Sequence, residues 1–149
     1  MRLENKVDAF VAGIGAGGTL MGVGRRLREA WPDVRLYGVE PAMGERLQGL
    51  HSLSESFVPS LLDLDLLDGR FLVDSATAFE CVRRLAEAEG ILAGASSDAA
   101  VHAALRVAER MERGNFVVMF ADGGLKFLPA RPWDAPERQD CDLDEVHWW

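Results

Sequence analysis

Glycines are concentrated where a short apolar run gives way to a helical pattern, at residues 13–18, four of which are glycine. Glycine has no Cβ, so the backbone amides of residues 15–19 can approach an anion closely. The positive end of the helix that follows favours negative charge at the same place. Thr19 adds a hydroxyl that either donates to the anion or caps the helix. The pattern predicts a phosphate site; the alternative is that the glycines only allow tight packing of strand against helix.

Two kinds of phosphate ligand fit this spacing. Gly13, Gly15 and Gly18 match the G-x-G-x-x-G pattern of dinucleotide-binding turns, and Glu40 ends the next predicted strand about where a ribose-binding acid would stand. Residues 15–19 also match a GxGGT loop, which holds the single phosphate of pyridoxal phosphate. The glycine spacing alone leaves both ligands open.

Other polar clusters fit ordinary structural roles. Residues 96–98, Ser-Ser-Asp, precede an alanine-rich helix and suit its N-terminal cap. The three aspartates within residues 63–68 alternate with leucines and fit a solvated turn better than a calcium loop. His51 has no ligand-spaced partner, and Cys81 and Cys141 have neither CxxC spacing nor a secretory context. We therefore expect no metal site and no disulfide.

Composition narrows the class of protein. The chain has 149 residues, the length of one ordinary domain, with 48% hydrophobic and 27% charged residues. A formal net charge of -8 disfavours nucleic acid and anionic membranes as partners, because both attract basic surfaces. No apolar run approaches the ~20 residues that cross a bilayer. We expect a cytoplasmic protein without membrane or nucleic-acid partners.

The elements that must position these residues alternate between strand and helix. Strands are predicted at 7–13, 34–40, 71–73, 91–94 and 115–120, and helices at 20–31, 76–89 and from 99 to about 113. This order predicts an α/β fold, an open and mainly parallel sheet with helices on both faces, in which 115–120 is the last central strand. Residues 1–130 would form the domain and 131–149 an acidic tail, whose terminal tryptophan pair we expect to dock.

Four motifs in register resemble one family. They are VDAFVAGIGAGGTLMGVGRRL, YGVEP, LAEAEGILAGASSDAA and VVMFADGGLKFL, and they cover residues 7 to 130. In this order the motifs are similar to the second half of cysteine synthases, β-family enzymes that use pyridoxal phosphate to replace the β-substituent of an activated serine with sulfide. The resemblance implies the large domain of the tryptophan synthase β-like fold, pyridoxal 5'-phosphate as cofactor and an amino-acid substrate.

The resemblance assigns roles only to matched positions. The phosphate loop corresponds to Gly15, Ala16, Gly17, Gly18 and Thr19. Ser96 matches the serine that hydrogen-bonds the pyridine nitrogen, and a neutral hydroxyl can donate to an unprotonated nitrogen. Asp122 lies in a turn that matches the family's PDxG motif near the same ring. Ala16 replaces a threonine of the family's loop, and Asp98 replaces a glycine of its SSG motif.

The first-half motifs of the family do not occur in this sequence. These are the SxKxR motif, whose lysine forms a Schiff base with the cofactor, and the TSGNT loop, which holds the substrate carboxylate. The lysines present, Lys6 and Lys126, match neither motif. We therefore assign no catalytic residue and expect no turnover by this chain alone. A homodimer or a complementing N-terminal half is the expected partner, and a non-catalytic phosphate- or partner-binding module and an NAD-binding domain remain the alternatives.

Overall fold

The computed structural model describes residues 6–55 and 57–125 and the backbone of 146–147. The strands are β1 (Ala9–Gly13), β2 (Arg35–Pro41), β3 (Gly69–Val73), β4 (Phe116–Val118) and β5 (Val146–His147). The helices are α1 (Gly18–Ala30), α2 (Ser75–Glu89) and α3 (Ala95–Ala108), with a short 3-10 turn at Leu64–Leu66. The strands form one sheet in the order β4-β1-β2-β3-β5.

The sheet is mainly parallel, as the alternation of strands and helices predicts. β1 pairs in parallel with β2 and with β4, and β2 pairs in parallel with β3. Only the two-residue β5 runs antiparallel, beside β3. The carboxyl ends of four strands therefore meet at one edge of the sheet, where ligands bind in open α/β sheets.

Helices cover both faces of the sheet. Because successive strand residues point to opposite sides, Phe10 and Ala12 of β1 pack with α1, whereas Ala9 and Val11 pack with α3. The two resulting cores are almost fully buried. The continuous apolar sequence of β1 follows from this position, since a strand between two helical layers has no solvated face.

Helix α3 begins at Ala95 and ends at Ala108 instead of spanning 99 to about 113. The cap predicted at residues 96–98 is wrong, because these residues lie inside α3 and Gly94 is its N-cap, without a side-chain hydrogen bond.

The ends of α1 and α2 agree with the sequence signals. The Asp74 side chain accepts a hydrogen bond from the Thr77 amide at 2.7 Å and caps α2. Gly90 ends the same helix with φ of 67°, a conformation that glycine adopts without strain. Trp31 ends α1 in an extended conformation before Pro32.

Two predicted strands differ from the structure. Residues 91–94 form no strand of the sheet and make only an isolated antiparallel bridge, Ala93 to Gly123. The strand predicted at 115–120 is shorter, and it lies at the edge of the sheet within the described residues rather than in its centre. Met119 and Phe120, which follow it, are each 37% exposed. An apolar run indicates a buried strand, but it does not say which neighbours the strand has.

The C-terminal tail is described only at its strand. β5 pairs with β3 through Arg70–His147 and Phe71–Val146, so this part of the chain returns to the sheet. The remainder of 131–149, including the tryptophan pair, lies outside the described residues. Among the helices that the structure describes, none has the length and apolar character needed to cross a bilayer.

A buried ion pair joins the neighbouring strands β2 and β3. Glu40 is fully buried, accepts a hydrogen bond from the Leu53 amide at 2.6 Å and pairs with Arg70. The pair therefore fixes the loop after β2 to the sheet. A carboxylate in this position is tolerated because both of its oxygens have donors.

We expect Arg70→Ala to lower the free energy of unfolding by about 3 to 5 kcal/mol, because it leaves the Glu40 charge buried without its cation. Urea denaturation measures the effect. Arg26→Ala is the matched control, since Arg26 pairs with Glu29 at the surface and its loss should change stability by less than about 1 kcal/mol. Equal effects of the two substitutions would contradict this account of the buried pair.

Candidate functional site

The turn between β1 and α1 presents a row of unpaired backbone amides. Within the described residues, no backbone or side-chain acceptor meets the amides of residues 15–20. The first intrahelical bond of this region is donated by Met21 to the Gly17 carbonyl at 2.9 Å. The start of a helix leaves such donors free, and here no side chain caps them. The arrangement fits an oxyanion, which accepts several such hydrogen bonds at once.

Backbone geometry explains the glycines of this turn. Gly17 has φ of 88°, and a Cβ there would lie 3.1 Å from Cβ of Leu62. At Gly15 a Cβ would lie 3.4 Å from the Gly49 carbonyl oxygen, whereas at Gly18 it would meet nothing within 4 Å. Gly17 is thus required by conformation and space, and Gly18 leaves the entrance open.

A shallow pocket lies beside the amide row. Its volume is about 60 Å³, well below the roughly 300 to 1,000 Å³ of complete ligand pockets. Its lining residues come from four separate segments: Ala12, Gly13, Thr19, Gly49, Leu50, Ser96, Met119 and Ala121. The predicted residues Thr19 and Ser96 both line this pocket.

The loop after β2 contributes to the pocket, which the sequence did not indicate. Gly49 and Leu50 line the pocket, and the amide of His51 donates to the Ile14 carbonyl at 2.7 Å. Gly49 has φ of 91°, and a Cβ there would lie 3.7 Å from the Ser96 hydroxyl. The isolated glycine at position 49 was the only sequence signal of this contribution. An irregular segment has no hydrophobic periodicity, so the sequence could not place it against the sheet.

Ser96 and Asp122 come together although they are 26 residues apart. The Ser96 hydroxyl lies 3.3 Å from Oδ1 of Asp122, and the Ser97 hydroxyl lies 3.5 Å from the same oxygen. The Gly94 amide donates to the Asp122 carbonyl at 3.1 Å, which fixes the turn against the start of α3. A Cβ on Gly94 would lie 2.0 Å from Asp122 Oδ1, so glycine is needed for this approach.

Asp98 is the unusual residue of this site. It is completely buried in the first turn of α3, and neither oxygen of its carboxyl group has a hydrogen-bond partner within the described residues. Burial, together with the smaller effect of the nearby Asp122 charge, raises the pKa of Asp98 to about 7. The proton is therefore held up to near-neutral pH.

The other candidate residues serve structural roles. Glu40, the acid that a dinucleotide site would need, is engaged by Leu53 and Arg70 and is not free to bind a ribose. Asp68 pairs with Arg28 and accepts from the Leu36 amide. In the described part of the chain, no group of three or more His, Cys, Asp or Glu side chains is arranged to hold a metal ion.

Comparison with protein families gives a match over most of the chain. The model of the family described as "Pyridoxal-phosphate dependent enzyme" matches residues 1–122. A cysteine synthase of Staphylococcus aureus is 40% identical in an alignment 130 residues long that covers 82% of this chain and 42% of that protein. The match includes the turn, the start of α3 and Asp122.

Solved structures give the same relationship. An O-ureido-L-serine synthase is 36% identical with a TM-score of 0.79, over 94% of this chain and 46% of its own. A hydrogen sulfide-producing enzyme of Fusobacterium nucleatum is 29% identical with a TM-score of 0.81, over 92% of this chain and 43% of its own. The chain thus spans less than half the length of the relatives it matches.

The Asp98 carboxyl should make stability fall as pH rises. The unfolded chain loses this proton near the ordinary pKa of 3.8 and the folded chain near 7, so folding is favoured below this window and loses stability across it. In the unaltered chain, the free energy of unfolding should fall by a few kcal/mol between about pH 4 and pH 7 because of Asp98. We expect Asp98→Asn to remove this fall. Urea denaturation at a series of pH values measures it.

Asp33→Asn is the control for this pH series, because the Asp33 side chain is 89% exposed. It should keep the pH dependence of the unaltered chain. If Asp98→Asn also keeps that dependence, the buried carboxyl does not hold its proton in the way described.

Proposed function

Because this chain belongs to the family of pyridoxal-phosphate dependent enzymes, we propose that it is the carboxyl-terminal part of a cysteine synthase. The reaction would be replacement of the β-substituent of an activated serine by sulfide. The observation that carries the proposal is the row of unpaired amides at residues 15–20, which fits the phosphate of the cofactor. The cysteine synthase relative at 40% identity supports the choice of reaction within the family.

Each matched residue takes a role in this proposal. The amides of Gly15, Ala16, Gly17 and Gly18, with the amide and hydroxyl of Thr19, would bind the phosphate. The Ser96 hydroxyl, in the wall of the same pocket, would meet the ring nitrogen. Asp122 would orient that hydroxyl, since it accepts from Ser96 at 3.3 Å.

When bound, pyridoxal phosphate supplies an electron sink that stabilises negative charge on the substrate. The residues of this chain would contribute binding and orientation. Thr19 and the amide row would hold the phosphate end of the cofactor, and Ser96 would hold its ring nitrogen. Loop residues Gly49 and Leu50 would exclude water from that side of the ring.

The substrate-facing half of the site would come from other residues. The pocket is far smaller than a complete ligand pocket, and the chain matches 42% of the length of the cysteine synthase relative. A lysine to hold the cofactor and a loop to hold the substrate carboxylate would lie in a complementing amino-terminal half. Such a half would also cover the edge strand β4 and the exposed side chains of Met119 and Phe120, which follow it. Dimerisation of the completed enzyme belongs to the same proposal.

A second candidate is a non-catalytic phosphate-binding module. One observation favours it: the two lysines of the sequence, Lys6 and Lys126, match no cofactor-binding motif. This module would use the same amide row, so it differs from the first candidate in needing neither the ring contact at Ser96 nor a complementing half.

Pyridoxine 5'-phosphate tests the proposal on the 149-residue chain, because it has the ring and phosphate of the cofactor but no aldehyde and so needs no lysine. We expect binding in equilibrium dialysis, with displacement by inorganic phosphate and none by NAD. Gly17→Ala should weaken binding, since a Cβ there is strained and crowds Leu62. Gly22→Ala, in open space on α1, is the control.

Binding of inorganic phosphate without any preference for pyridoxine 5'-phosphate would favour the non-catalytic module. Displacement by NAD, or binding unaffected by Gly17→Ala, would contradict the assignment of the amide row.

Ala16→Thr should strengthen cofactor binding. The family's loop has threonine at this position, and a hydroxyl donating to a phosphate contributes roughly 1.5 to 3 kcal/mol, on the order of ten- to a hundredfold in affinity. Ala16 is exposed at the loop, so the side chain has room. Pyridoxine 5'-phosphate affinity measures the gain, with Ala30→Thr at the end of α1 as control. No gain would count against the position of the loop.

A further inference from the structure

Gly49 and Leu50, in the loop after β2, lie between the two halves of the candidate site. A Cβ on Gly15, in the amide row, would lie 3.4 Å from the Gly49 carbonyl oxygen. A Cβ on Gly49 would lie 3.7 Å from the Ser96 hydroxyl. The Leu50 side chain fills the space beside Gly13, because a Cβ on Gly13 would overlap Cδ2 of Leu50. The position of these two loop residues therefore sets the shape of the pocket.

This part of the loop has little side-chain packing. Gly49 and Leu50 line not only the pocket beside Ser96 but also a second cleft, with a volume of about 620 Å³. Of residues 43–50, only Leu47 is buried. A segment that borders two cavities has few neighbours, so its position depends on the hydrogen bonds that anchor it.

Two backbone amides anchor the chain after Leu50 to the sheet among the described residues. The His51 amide donates to the Ile14 carbonyl at 2.7 Å, which joins the loop to the end of β1. The Leu53 amide donates to Oε2 of Glu40 at 2.6 Å, which joins the loop to the end of β2. The acceptor of the second anchor is a side chain, and a side chain has to be held in place itself.

Arg70 of β3 holds the Glu40 carboxylate in this position. Its guanidinium pairs with Oε1 and the Leu53 amide binds Oε2, so each carboxylate oxygen has its own donor. The Glu40 side chain is fully buried and the Arg70 side chain is 16% exposed. Solvent therefore screens the pair little, and charge-assisted hydrogen bonds fix the orientation of the carboxylate. The contacts run from β3 through Glu40 to the loop that borders the pocket.

We propose that the Glu40–Arg70 pair positions Gly49 and Leu50 against the ring of the ligand and so controls ring binding from outside the pocket. This inference rests on the proposed function, since it places the cofactor ring in this pocket. Glu40 and Arg70 are positioning residues, because neither of them lines the pocket. Phosphate binding, by contrast, uses the amide row of residues 15–20, to which the pair is not bonded.

Loss of the pair should therefore weaken ring binding without weakening phosphate binding. Pyridoxine 5'-phosphate carries the ring and the phosphate, whereas inorganic phosphate has no ring, so the ratio of the two affinities isolates the contribution of the ring. A general loss of stability lowers the folded fraction that is available to both ligands by the same factor and leaves this ratio unchanged.

Equilibrium dialysis of the 149-residue chain with each ligand tests the proposal. Glu40→Leu combined with Arg70→Met removes the acceptor of the Leu53 amide and leaves no buried charge unpaired, so the fold should persist. We expect this double variant to bind pyridoxine 5'-phosphate about three- to tenfold more weakly, the range for a side chain that must be ordered on binding. Its affinity for inorganic phosphate should equal that of the unaltered chain.

Two further variants separate positioning from stability. Arg70→Lys should keep the affinity ratio of the unaltered chain, because an ammonium group also donates to a carboxylate. Leu27→Ala removes a buried side chain from α1 and leaves the pair intact, so it is the matched control for lost stability. It should lower the free energy of unfolding and leave the affinity ratio unchanged.

An equal affinity ratio in the double variant and the unaltered chain would overturn the inference and leave the proposed function standing. A fall of the same size with Leu27→Ala would also overturn it, since stability alone would then account for the effect. If the unaltered chain shows no preference for pyridoxine 5'-phosphate over phosphate, the proposed function is wrong and the inference with it. If the double variant does not fold, Glu40→Gln serves instead, and it should lower the ratio because an uncharged amide binds Arg70 less strongly.

Discussion

Six consecutive backbone amides at the junction of β1 and α1 have no hydrogen-bond acceptor in the described part of the protein. The surrounding fold leaves them free to bind a ligand. An amide left without a partner is costly when buried, so such a row persists where water or an anion can reach it. β1 lies between β2 and β4, which places the junction at the carboxyl edge of the sheet. Gly17 has a left-handed conformation and turns the chain into α1 without a side chain that would cover the amides.

The second half of the site depends on a contact between distant segments. Gly94 and Asp122 approach closely because Gly94 has no side chain, and this approach brings the Asp122 carboxylate to the hydroxyls at the start of α3. The same approach brings Asp122 near the buried carboxyl of Asp98. Burial and this neighbouring charge raise the pKa of Asp98 to about 7. A buried carboxyl without a donor reduces stability, so Asp98 weakens the folded state instead of supporting it.

The local elements were largely predictable from the sequence, because hydrophobic periodicity, the Asp74 cap and the Gly90 stop each act over a few residues. The positions of segments 91–94 and 115–120 could not be predicted, because apolar character indicates burial but does not give the order of strands in the sheet. The glycine turn between β1 and α1 was predictable from its spacing, and its binding of phosphate stays a prediction. The proximity of Ser96 to Asp122 and the contribution of Gly49 depend on tertiary packing, and the resemblance to the family, rather than periodicity, linked the first two.

The central claim is that the amides of residues 15–20 bind an oxyanion. Amide chemical shifts in nitrogen-15-labelled protein, followed while inorganic phosphate is added, test it most directly because each amide reports separately. The account predicts saturable shifts concentrated at residues 15–20, with little change at the start of α2, where the Asp74 side chain already occupies the Thr77 amide. Shifts absent from residues 15–20, or equally large at the two helix starts, would contradict it.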